Sequence, residues 1–85
     1  MARPLRRANE RANEKIREVK ESLCEALRKI AIEDGWTQKQ LAITIGTSEA
    51  NVSRFIRFRT EHLTINQLFL YLAKLNPNFK ILIAR

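Results

Sequence analysis

Apolar residues along the chain recur at steps of three and four. Ile16, Val19, Leu23, Leu27 and Ile30 form one stripe on a helix. Gly35 follows the last charged turn and supplies a stop. Thr37-Gln38-Lys39-Gln40 opens a second helix through a capping box, with Thr at the cap and Gln three residues later. That helix runs to about Ile45 and stops at Gly46. Ser48 caps a third helix, roughly 48–58, with Val52, Phe55 and Ile56 turned inward. Thr60 to Leu63 reads as a loop. Thr64-Ile65-Asn66-Gln67 is a second capping box and starts a fourth helix carrying Leu68, Leu72 and Leu75. Asn76-Pro77-Asn78 ends it.

The two ends break this pattern. Residues 1–15 form a basic N-terminal arm or a helix extension. They contain a small tandem repeat, Arg7-Ala8-Asn9-Glu10 followed by Arg11-Ala12-Asn13-Glu14. A period of four stacks like charges along a helix, which costs a few tenths of a kcal/mol per pair. Residues 16–77 form the folded domain. Residues 78–85 are β-branched and apolar on both faces, the signature of a strand. A lone strand leaves backbone N–H and C=O groups unpaired. Two tails pairing across a two-fold axis would satisfy them, so Phe79, Ile81, Leu82 and Ile83 are the expected dimerisation residues.

The 85 residues suffice for one domain. Lys plus Arg number 16 against 9 Asp plus Glu, a formal charge of +7 and a pI near 10.3. The excess is uneven: residues 1–34 carry nine basic and seven acidic groups, residues 35–85 seven and two. Between Gln38 and Thr60 the only acid is Glu49, set against Lys39, Arg54, Arg57 and Arg59. One-sided positive charge points to a polyanion, nucleic acid first and an acidic membrane surface second. One Cys excludes an internal disulfide and fits a reducing, cytoplasmic setting. No apolar run reaches about 18 residues, so no membrane span is expected, and without a charged-then-apolar leader secretion is not expected. An enzyme is not expected either. His62 is alone in a loop, Cys24 has no His partner and reads as packing, and there is no metal-ligand cluster or Gly-rich phosphate loop. No cofactor is called for.

Helices two and three have the spacing of a helix-turn-helix. Such a pair needs a small residue at the helix contact, a turn residue that tolerates positive φ, and apolar residues behind both. Ala42, Gly46, and the set Leu41, Ile45, Val52 and Phe55 meet these demands. With Thr37-Gln38, Leu41-Ala42, Gly46 and Val52-Ser53-Arg54, residues 23–75 resemble the XRE/Cro-type pattern of bacterial and phage regulators. Ile65 to Leu75 followed by a terminal strand is similar to the branch containing HigA-type antitoxins. The resemblance implies a dimer that binds a palindromic operator and, in that branch, represses its own operon and binds a toxin protein. Where the family has a glycine after the third helix, this chain has Arg57-Phe58-Arg59.

The expected fold class is therefore mainly α: a four-helix helix-turn-helix domain with a short C-terminal strand. The expected partner is double-stranded DNA, bound as a homodimer with helix 48–58 in the major groove. Glu49, Ala50, Ser53 and Arg57 lie opposite the buried positions of that helix, with Arg54 at the edge. Arg54 is the candidate for a base, a guanine above all, or a phosphate, Asn51 for an adenine or the backbone, and Glu49 for a cytosine amino group or the helix dipole. Thr37, Gln38 and Ser48 are phosphate candidates near helix starts, with Arg57 and Arg59 beyond the groove.

Overall fold

The computed structural model describes residues 4–76, with side chains from Arg7 onward. Among these residues there are four helices and no strand: α1 (Pro4–Glu33), α2 (Gln38–Ile45), α3 (Glu49–Ile56) and α4 (Ile65–Leu75). The strand expected at 78–85, with Phe79, Ile81, Leu82 and Ile83, lies outside them. No helix among the described residues is long and apolar enough to cross a membrane.

Local chemistry sets most of the boundaries. Thr37 caps α2 in a closed capping box: its hydroxyl accepts from the Gln40 amide at 3.1 Å, and the Gln40 side chain accepts from the Thr37 N–H at 3.1 Å. Thr64 and Gln67 repeat the arrangement at α4, at 3.0 and 2.9 Å. Ser48 caps α3 by accepting from the Asn51 amide at 3.1 Å. Each cap satisfies an N–H that would otherwise lack a partner, a contribution of about 1 kcal/mol.

The ends of α1, α2 and α3 share one closure. In each, a residue at positive φ turns the chain so that the next N–H reaches back five residues: Trp36 to Ala31 at 2.9 Å, Thr47 to Ala42 at 2.9 Å, Arg59 to Arg54 at 2.8 Å. The turning residues are Gly35 (φ +69°), Gly46 (φ +72°) and Phe58 (φ +58°). The third helix thus stops at Ile56, two residues short of the expected run to 58. Phe58 takes the left-handed conformation that Gly35 and Gly46 hold at the ends of α1 and α2.

The core lies between the second half of α1 and the other three helices. Leu23, Cys24, Leu27 and Ala31 of α1 are buried with Leu41, Ala42 and Ile45 of α2, Val52 and Phe55 of α3, and Leu68, Tyr71 and Leu72 of α4. Leu63, just before α4, is buried with them. α1 packs on α3 and α4, and α2 on α3 and α4. Burial drives Cys24: its thiol is pushed up to about 11, chiefly by desolvation and further by Glu21, with Lys20 opposing.

The first half of α1 differs from the second. Residues 7–19 are all exposed, so this stretch extends beyond the core. Ile16 and Val19 continue the stripe of Leu23 and Leu27 yet stay 42% and 37% exposed. Ion pairs at Lys15–Glu18 (3.3 Å), Arg17–Glu14 (4.0 Å) and Arg17–Glu21 (3.8 Å) line this exposed part. Such solvated pairs each contribute only a few tenths of a kcal/mol.

Candidate nucleic-acid interface

α2 and α3 are joined by Gly46, Thr47 and Ser48, and four locks hold the pair. The buried contact is made by Leu41, Ala42 and Ile45 against Val52 and Phe55. Gly46 turns the chain in the left-handed region, which L side chains avoid. The Lys74 ammonium of α4 donates to the Ile45 carbonyl at 3.0 Å, closing the C-terminal end of α2 with a cation. Finally, the Tyr71 and Thr47 hydroxyls hydrogen-bond at 2.9 Å, tying the turn to α4. The Tyr71 ring is itself seated against Phe55, with centroids 6.1 Å apart and a tilt of 44°.

On this frame the outer side of α3 is open. Ser48, Glu49, Ala50 and Arg57 are exposed, and Asn51, Ser53 and Arg54 are half-buried. Arg59, just past the helix, is exposed, as are Thr37 and Gln38 at the start of α2. The cap oxygens of Thr37 and Ser48 accept backbone bonds, which leaves each hydroxyl proton available for a phosphate oxygen. Glu49 stands in the first turn of α3, where a carboxylate also complements the helix dipole.

Asn51, half-buried on α3, is held by hydrogen bonds within the protein. Its Nδ2 donates to the Thr47 hydroxyl at 2.9 Å, and its Oδ1 accepts from Arg54 Nη1 at 2.7 Å. Both ends of the amide are engaged inside the protein, each with one further donor or acceptor site left over. The same bond gives Arg54 a partner on the helix surface. Thr47, Tyr71 and Lys74 escape a sequence reading, because their contacts join positions 24 and 29 residues apart. A tyrosine on the apolar face of α4, three residues after Leu68, is the one available hint, since a buried phenol needs a partner.

Compared with protein-family models, with curated proteins and with solved structures, the chain matches none of them.

Proposed function

We propose that this chain is a sequence-specific DNA-binding regulator of the helix-turn-helix type, a dimeric repressor that sets the N-terminal part of α3 in the major groove. One observation carries the reading: a short helix whose Val52 and Phe55 are fully buried presents an open polar and basic side, with Glu49 its lone acid. A rigid helix with an unobstructed outer face is what groove insertion requires. Arg54 reads a base, a contact worth about 1–3 kcal/mol of discrimination when bidentate. Arg57, Arg59, Gln38 and the capping hydroxyls of Thr37 and Ser48 grip phosphates.

A second reading, an antitoxin that also engages a toxin protein, draws on apolar residues exposed away from α3. Leu70 on α4 is 56% exposed, and Ile16 and Val19 lie open on α1. Exposed apolar side chains that cluster mark protein contacts more than DNA contacts.

Selection of bound duplexes from a random pool tests the main proposal. The expected result is a two-fold site with half-sites about 10–11 base pairs apart, centre to centre. Arg54→Ala should abolish the sequence preference, while Arg59→Ala should weaken binding to all duplexes about equally. Enrichment of no sequence, or equal loss of preference in both variants, overturns the proposal.

A further inference from the structure

Tyr71, Thr47, Asn51 and Arg54 form one continuous hydrogen-bonded line from the core to the outer side of α3. The links measure 2.9, 2.9 and 2.7 Å. We infer that this line is a positioning device that presents the Arg54 guanidinium to a base and so sets sequence discrimination from a residue on α4. The inference rests on the DNA-reading role proposed for α3.

The chemistry runs in one direction. Tyr71 is 6% exposed and its ring is fixed against Phe55, so its hydroxyl is a stationary anchor. That hydroxyl fixes Thr47 in the turn. Thr47 then receives Nδ2 of Asn51, which fixes which way the amide faces: a flipped amide would set NH₂ against a guanidinium, donor against donor. The correctly turned Oδ1 accepts Nη1 of Arg54. A guanidinium has five N–H donors in a rigid plane, so engaging Nη1 orients the whole fork. The edge formed by Nε and Nη2 has no partner among the described residues. It carries the two parallel donors that a guanine O6/N7 pair accepts.

An arginine held in this way gives up less side-chain freedom on binding than a loose one, and the advantage goes to the base that fits. Asn51 is then a positioning residue and makes no base contact of its own. Tyr71, buried and remote from any duplex, becomes a determinant of specificity through Thr47 and Asn51.

Tyr71→Phe is the decisive variant, because it removes one oxygen and keeps the ring on Phe55. Its binding is compared with wild type on the selected duplex and on a scrambled one, across a salt series. The expected result is a loss of about three- to tenfold in the specific-to-scrambled ratio, with scrambled-duplex affinity and salt slope unchanged. Asn51→Ala should lose the same ratio. Either change should add nothing in an Arg54→Ala background, because the line acts only through Arg54. In the free protein, NMR should show slow guanidinium rotation at Arg54 in wild type and faster rotation in Tyr71→Phe. Full discrimination in Tyr71→Phe and Asn51→Ala, beside its loss in Arg54→Ala, overturns the inference and leaves the DNA-reading role standing. If wild type selects no sequence, both fall. Equal guanidinium rotation in wild type and Tyr71→Phe overturns the inference without any DNA.

Discussion

Phe58 holds φ at +58° although its Cβ disfavours that region, and its ring lies 5.8 Å from the Arg28 guanidinium of α1. The backbone penalty is roughly 1–2 kcal/mol for an L residue, while an exposed cation–π contact returns about 0.5–1 kcal/mol. Removing the ring while keeping the Cβ should therefore hurt, and removing both should not. Urea unfolding should rank Phe58→Gly above Phe58→Ala by about 1 kcal/mol, the reverse of their order inside a helix. Cys24 gives a second test at this scale. Its folded thiol titrates near 11, above the ordinary value of 9.0, so the unfolded chain loses that proton first. The stability linked to Cys24 is complete below the ordinary thiol range and declines as pH rises through about 11. Unfolding free energy measured from pH 8 upward should fall more steeply in wild type than in Cys24→Ala. Caps were legible at this scale because a cap joins a hydroxyl to an N–H three residues away. Phe58 was not: a phenylalanine carries no local preference for the left-handed region, so the glycine that would announce the stop is missing from the sequence.

α1 shows what periodicity does and does not report. The stripe from Ile16 to Ile30 identifies one helix face, but a face acquires partners only where other helices reach it. Leu23 and Leu27 find α3 and α4, while Ile16 and Val19 lie beyond them. The repeat at 7–14 continues as helix, on Arg, Glu and Ala positions that favour it. A helical stretch with no tertiary cover is marginal in water, since propensity alone rarely sustains so short a length. Hydrogen exchange should show weak protection for the amides of residues 7–15 and near-global protection for Leu23 to Ala31. Removing residues 1–15 should change the unfolding free energy by less than about 0.5 kcal/mol, as expected for residues outside the core. A large loss would mean that residues 7–15 pack on another chain. The α2–α3 pair was more readable, because Ala42, Gly46 and the buried Leu41, Ile45, Val52 and Phe55 are all set by spacing within one short segment. The lines that brace it were not, because Tyr71 and Lys74 come from α4, whose placement depends on the assembled core.

For the whole molecule, the uneven charge becomes a statement about affinity. A single copy offers few cationic phosphate contacts, Arg57 and Arg59, and each contributes a slope of about −0.9 to log affinity against log salt. Four such contacts from two copies would give a slope of about −3.6, and one copy about half that. The apolar residues Phe79, Ile81, Leu82 and Ile83 remain the proposed means of joining the copies. Deleting 79–85 should then give a monomer in sedimentation equilibrium. Its helical circular dichroism should be essentially that of the full chain, because the four described helices end at Leu75, before those residues. On a two-half-site duplex the truncated chain should bind more weakly and with about half the salt slope, since each half-site is then occupied independently. A truncated chain that still sediments as a dimer would shift the interface to α1 or α4, where Ile16 and Leu70 are already exposed. An unchanged slope with a lost dimer would mean that one copy carries all the phosphate contacts, and the two-fold operator would go with it.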